Sequence, residues 1–206
     1  MISPDTSDTH EHAAGVITRG GVIGFRTDTF YGLGADPFNQ AAVQTIKVLK
    51  GREDHKPILV LISDHTQLER LILPQSDAFA SMAERFWPGP LTIIGAAHPA
   101  LPIEITAGSK TVGVRLPDDD KVRSLVSKCG GTVTATSANA SGAPPARTAA
   151  EVQGYFGDRI ELIIDSGAAN TDQPSTVIDV TGPEIKLIRE GVIGWSVINQ
   201  SQKEND

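Results

Sequence analysis

Residues 160–188 read IELIIDSGAANTDQPSTVIDVTGPEIKLI, with three short aliphatic or β-branched runs, Ile160–Ile164, Thr176–Val180 and Ile185–Ile188, separated by turn-forming residues. Strands crowded on connections this short predict a mixed parallel and antiparallel sheet rather than a fully parallel one. Upstream, helical and strand patterns interleave. A helix through Ala13–Arg19 stops at Gly20-Gly21, and Val22–Phe25 reads as a strand. Asn39 caps a helix with Val43, Ile46 and Leu49 at helical spacing, ended by Gly51. Ile58–Ile62 is a strand without polar alternation, so both its faces should be covered. Ser76 caps a helix carrying Phe79, Met82, Ala83 and Phe86, which Pro88 terminates. Leu91–Gly95, Thr111–Arg115 and Thr132–Thr136 read as strands, and Val122, Leu125, Val126 and Cys129 form a helical stripe. Thr148 with Glu151 makes a capping box for Ala149–Phe156. The expected class is α/β (α+β), a twisted mixed sheet flanked by helices.

The chain has 206 residues, 25 acidic against 18 basic side chains, and a net charge of −7. That length suits one domain, expected over residues 13–195 between a flexible tail (1–12) and a polar C-terminal tail (196–206). The pair His10 and His12 in the first tail reads as a solvated end rather than a metal site. No apolar run approaches the roughly 18 residues needed for a membrane span, and the acidic N-terminus is unlike a secretory signal. A single cysteine, Cys129, agrees with a reducing compartment; the expectation is a cytoplasmic protein with Cys129 as a core thiol. The acidic balance disfavours a protein devoted to wrapping nucleic acid.

Neither a Walker loop nor a complete dinucleotide fingerprint is present, since Gly32-Leu33-Gly34 lacks its third glycine. Three segments carry possible chemistry. Arg26–Gly34 brings Thr27, Asp28, Thr29 and Tyr31 to a strand end before a glycine turn, either as a small polar pocket or as a turn that satisfies its own backbone. Lys50, Arg52 and Lys56 follow a helix C-terminus, as a phosphate clamp or as cations favoured by the helix dipole. Ser137-Ala138-Asn139 leads from a strand into short polar residues, as an anion cradle or an Asx turn. With Arg115, Ser175 and Arg189 these lie at or beside strand ends, where open α/β sheets collect ligands.

Taken together, from about Ala13 to Ile193, the sequence resembles the YrdC-domain threonylcarbamoyl-AMP synthases. The resemblance rests on Thr27–Gly34, Lys50-x-Arg52 with Lys56-Pro57, Trp87–Thr92, Val112–Pro117, Ser137-x-Asn139, Ser175–Asp179 and Ile188–Gly191. Arg26, Glu53 and Pro145 depart from common family residues, and Leu61 stands where some archaeal-type members have His. The chain resembles the short, single-domain form. The resemblance implies a YrdC-like fold with a concave ligand cleft. It also implies condensation of L-threonine, bicarbonate and ATP into threonylcarbamoyl-AMP with release of pyrophosphate, the first step of N6-threonylcarbamoyladenosine (t6A) formation at position 37 of tRNA. ATP would meet Lys50, Arg52, Lys56, Thr111, Ser137, Asn139, Pro145 and Arg189. L-threonine would meet Thr29, Tyr31, Leu61, Arg115, Ala135 and Ser175. Mg2+ would accompany ATP without a tightly bound protein-ligated metal, and catalysis would rest on positioning and electrostatics, with Lys50 and Arg52 essential. The product would pass to a downstream threonylcarbamoyl-transferase machinery (TsaD/TsaB/TsaE-like), tRNA being an indirect partner and a membrane none. The alternative function is a double-stranded RNA-binding or ribosome maturation factor.

Overall fold

The computed structural model describes residues 1–51 and 56–203. The chain runs β1 (Ile2–Pro4), α1 (Ser7–Thr18), β2 (Ile23–Arg26), β3 (Tyr31–Gly34), α2 (Gln40–Lys50), β4 (Val60–Ile62) and α3 (Leu68–Leu71). It continues through α4 (Asp77–Phe86), β5 (Leu91–Ala96), α5 (Ile103–Thr106), β6 (Thr111–Arg115), α6 (Asp120–Lys128), β7 (Thr132–Thr134) and β8 (Thr136–Ser137). α7 (Ala149–Phe156), β9 (Leu162–Asp165), β10 (Thr176–Asp179), β11 (Lys186–Arg189) and α8 (Trp195–Lys203) complete it.

The mixed architecture stands, but the strands divide between two sheets. One has the order β1-β9-β2-β3-β8 and the other β11-β10-β5-β6-β4-β7. The predicted strand Thr132–Thr136 is the joint between them. β7 pairs antiparallel with β4 in the second sheet, while β8 pairs antiparallel with β3 in the first. At the crossing, the Ala135 N–H donates to Leu59 O at 2.9 Å, and Thr134 ties back to the first sheet through Ala35 N, 2.9 Å from its hydroxyl. Of the three closing strands, two behave as their short connection predicts, β10 pairing parallel with β5 and antiparallel with β11, whereas β9 lies in the first sheet, parallel to both β1 and β2.

Helix starts follow the capping chemistry. Asn39 accepts from Ala42 N, Ser76 from Phe79 N, and Thr148 from Glu151 N. α2 ends at Gly51 in the left-handed region at φ 58°. The apolar stripes of α1 and α6 cover one core together, Ala13, Val16 and Ile17 meeting Val122, Leu125 and Val126 over Ile23, Phe25 and Leu61. Cys129 packs at the rim of that core, and burial pushes its thiol up to about 12.

Three expectations differ. Gly32-Leu33-Gly34 is a strand of the β2–β3 hairpin rather than a turn. Gly34 serves close approach, since a Cβ there would lie 2.8 Å from both the Phe25 ring and Val133. The expected N-terminal tail is ordered: Ile2–Pro4 pairs in parallel with Ile163–Asp165, and Thr6 caps α1 by accepting from Thr9 N. His10 is buried with Nε2 2.6 Å from Asp5 Oδ1, whereas His12 is exposed. An edge strand of three residues, paired across some 160 positions, leaves no local periodicity to read. At the other end α8 continues the fold beyond residue 195, and Ile198 is fully buried in the main core.

Candidate functional site

A cavity of about 280 Å³ lies between the two sheets. The first sheet and its hairpin turn line it with Thr27, Thr29, Phe30, Tyr31, Gly32 and Ser137; the second contributes Thr92, Ile94, Gly113, Arg115, Val177 and the Ile188–Arg189 end of β11. Pro57, Leu59 and Ala135 close one wall and Pro174 with Ser175 another.

The Thr27–Phe30 turn holds itself: the Thr27 hydroxyl donates to Phe30 O at 2.8 Å and receives Thr29 N at 3.1 Å. This satisfies Thr27 within the turn and leaves Thr29 beside Arg115, whose Nη1 is 3.4 Å from its hydroxyl. Asp28 takes no part in the turn's backbone bonds. Its carboxylate is 3.0 Å from Arg115 Nη2, and both side chains are nearly inaccessible. Burial pulls the Arg115 pKa below the usual guanidinium range, with Asp28 acting the other way. Tyr31 presents part of itself to the cavity, but its hydroxyl donates to Gly167 O at 2.8 Å and accepts from Ser166 N at 3.2 Å, which anchors the segment leading to Pro174. Burial raises its pKa.

On the opposite wall Arg189 reaches across to Ser175, with Nη2 2.9 Å from the carbonyl and 3.1 Å from the hydroxyl. That hydroxyl is also 3.1 Å from Thr92 Oγ1, so Thr92, Ser175 and Arg189 form one chain. Burial and the neighbouring charge of Arg115 both lower the Arg189 pKa. Two guanidinium groups thus face one cavity, and the lining, among the described residues, includes no carboxylate. An anionic small molecule with hydroxyl groups is the complement of such a surface.

Of the residues expected here, Thr29, Tyr31, Arg115, Ala135, Ser137, Ser175 and Arg189 come together at the cavity. Others do not. Lys50 is buried, and its ammonium bonds Ser137 O, Asn139 O at 2.9 Å and Asn139 Oδ1 at 3.1 Å, so it clamps the Ser137–Asn139 loop from behind instead of facing the cavity. The Asn139 amide is engaged in that same loop, accepting from Lys50 and donating to Ala143 O. Leu61 is fully buried in the core under α1 and α6, because its side chain lies on the face of β4 away from the cavity. Thr111 shares the face of β6 with Gly113 and Arg115 but sits at the far end, bonded to Ser109. Pro145 is exposed on the loop before α7, and Lys56 is half-buried next to the lining residue Pro57. Arg52 lies outside the described residues. The sequence reading missed Thr92, the Asp28–Arg115 pair and Gly113. For Gly113 a signal existed: an isolated glycine within the strand Thr111–Arg115 marks a close approach, and a Cβ there would lie 3.0 Å from Thr92 Cγ2 on the cavity floor.

Fold and site together define a ligand-binding α/β protein whose polar cleft, cationic on two sides, is held between two mixed sheets. The chain belongs to the Sua5_yciO_yrdC family, whose model, described as telomere recombination, matches residues 15–191. It is 34% identical over 168 residues to the threonylcarbamoyl-AMP synthase of Halorhodospira halophila, covering 82% of this chain and 88% of that protein. It is 38% identical over 179 residues to the threonylcarbamoyl-AMP synthase of Pyrococcus abyssi, covering 87% of this chain but only 53% of that one. The chain therefore spans about half the length of the archaeal relative and most of the bacterial one. The crystal structure of P. abyssi Sua5 complexed with L-threonine superposes with a TM-score of 0.92 at 35% identity, over 98% of this chain and 59% of the other.

Proposed function

We propose that this protein is an L-threonylcarbamoyladenylate synthase, a nucleotidyltransferase that condenses L-threonine, bicarbonate and ATP and releases pyrophosphate, as the first step of t6A formation at position 37 of tRNA. The observation that carries the reading is the pair of guanidinium groups, Arg115 and Arg189, facing one cavity with Thr29, Thr92 and Ser175 between them. Arg115 is the partner for the amino acid's carboxylate, because a guanidinium grips two oxygens in one plane. Arg189 faces the phosphate side. The N-carboxylated amino acid is labile, so it must be made and used where water is excluded and the attacking oxygen is held in line with the α-phosphorus. A cavity set between two sheets supports that reading. Its size, near the lower end of the usual roughly 300–1,000 Å³ for small-molecule sites, suits an amino acid and not an RNA duplex.

Mg2+ would arrive with ATP. Among the described residues no three His, Cys, Asp or Glu side chains come together as a metal site, and no step is assigned to the ion. The Ser137–Asn139 loop, clamped by Lys50, faces the nucleotide through Ser137 and its backbone. The threonylcarbamoyl group then passes to a transferase machinery acting on tRNA, and the reading places the protein in the cytoplasm; no helix among the described residues is long and apolar enough to cross a membrane. Pyrophosphate release from ATP by the purified chain tests the assignment. It should require both L-threonine and bicarbonate, and ADP with inorganic phosphate as the threonine-dependent products would overturn it.

A further inference from the structure

Asp28 stands behind Arg115, and its surroundings are unusual. The two side chains are 7% and 3% exposed, with Nη2 3.0 Å from Oδ1. Yet neither Asp28 oxygen accepts a hydrogen bond of good geometry from the described residues, and Arg115 Nε donates none. Burying two ions with so few hydrogen bonds contributes little to holding a fold together, because desolvation offsets their attraction. A buried polar group left unsatisfied calls for another explanation. Asp28 is absent from the cavity lining and its oxygens are shut off from it, so it does not touch a ligand; it acts on whatever Arg115 holds, through its charge.

Resting on the L-threonine reading above, we propose that Asp28 is a positioning residue that sets the charge class of the amino-acid subsite at the binding step, before any carboxylation, making it select a zwitterion over an anion of the same shape. A carboxylate gripped by a guanidinium lies about 6 Å from a second carboxylate on its other side; at an effective dielectric of about 20 that repulsion amounts to roughly a hundredfold in affinity. An α-ammonium on the same ligand lies at comparable distance and cancels it. A ligand with the carboxylate and hydroxyl but no ammonium keeps the full repulsion. The cationic lining would otherwise draw in any small anion, because Arg115 and Arg189 already repel each other across the cavity. Asp28 offsets one of those charges from a position closed to the cavity.

Calorimetric titration of the whole chain with L-threonine and with 2,3-dihydroxybutanoate of matching configuration tests this. The native protein is expected to bind L-threonine at least about tenfold more tightly than the hydroxy acid. In Asp28→Asn the ratio should fall at least about fivefold, chiefly because the hydroxy acid binds better. A ratio unchanged within twofold overturns the proposal. Asp28→Ser serves as a second variant without the charge; should neither fold, the native pair of titrations decides, and a hydroxy acid within threefold of L-threonine overturns it. If the native chain binds neither ligand, the L-threonine reading is what fails, whereas L-threonine binding with an unaltered ratio removes the role of Asp28 alone.

Discussion

Replacing Lys50 with Met keeps the aliphatic stem but removes an ammonium bonded to Ser137 O, Asn139 O and Asn139 Oδ1. Hydrogen bonds to a charged group are worth about 1.5–3 kcal/mol each, and a buried acceptor left without a donor adds to the loss. The three share one donor and are not additive, so the expected cost is about 3–5 kcal/mol. In a domain of about 200 residues each kcal/mol moves Tm by about 2–4 °C, which gives a fall of roughly 6–20 °C. Differential scanning fluorimetry with and without ATP measures it. The unliganded variant should melt well below the native protein, and ATP should still raise its Tm. An unliganded Tm within 2 °C of native, together with an ATP affinity at least about tenfold weaker, would refute the clamp and return Lys50 to the role of a phosphate-binding cation.

Arg115→Lys keeps the charge and loses the fork, so calorimetry should show L-threonine binding weakened about ten- to a hundredfold with ATP affinity near native. Gly113→Ala puts a methyl against Thr92 on the cavity floor, and overpacking there should weaken L-threonine at least about tenfold while lowering Tm by only a few degrees. Leu61→Ala should destabilise urea unfolding by about 2–5 kcal/mol, as befits a fully buried core residue, and leave the folded protein's affinity for L-threonine unchanged. Burial raises the Cys129 thiol above its unfolded value, so its contribution to stability is complete below about pH 8.5 and is lost as pH rises toward 12. Unfolding midpoints from pH 7 to 10.5 should fall more steeply for the native protein than for Cys129→Ala.

Which parts of this molecule a sequence discloses depends on whether the deciding contacts are local. The helices over Gln40–Lys50 and Asp77–Phe86 were readable because a cap, an apolar stripe and a stop signal all lie within a dozen residues, Asp120–Lys128 from its apolar stripe and Ala149–Phe156 from its capping box. The short connection between β10 and β11 disclosed their antiparallel pairing for the same reason, but not that β9 joins the other sheet. The division into two sheets was hidden, because it turns on Ala135, where an apparently continuous strand changes partners and its two ends pair with β4 and β3 far away in the chain. β3 was hidden by glycines that serve packing against Phe25 and Val133. Within the site, Arg115, Ser175 and Arg189 were identifiable as side chains at strand ends. Lys50 shows the opposite case: sequence reports a cation beside polar residues, but not that carbonyls of a loop nearly ninety residues away take all three of the bonds described above. Asp28 reads as a turn former, and only the fold brings it behind Arg115.

The central claim, that the cavity joins an N-carboxylated threonine to the α-phosphate of ATP, is tested most directly by the mass of the nucleotide product. The purified chain is supplied with ATP, L-threonine and 13C-bicarbonate, and the product is isolated before it hydrolyses. The account expects an AMP adduct that contains one threonine and one 13C, with one pyrophosphate released per adduct. An adduct of threonine and AMP without the label, or a labelled product that has lost only the γ-phosphate, would contradict it.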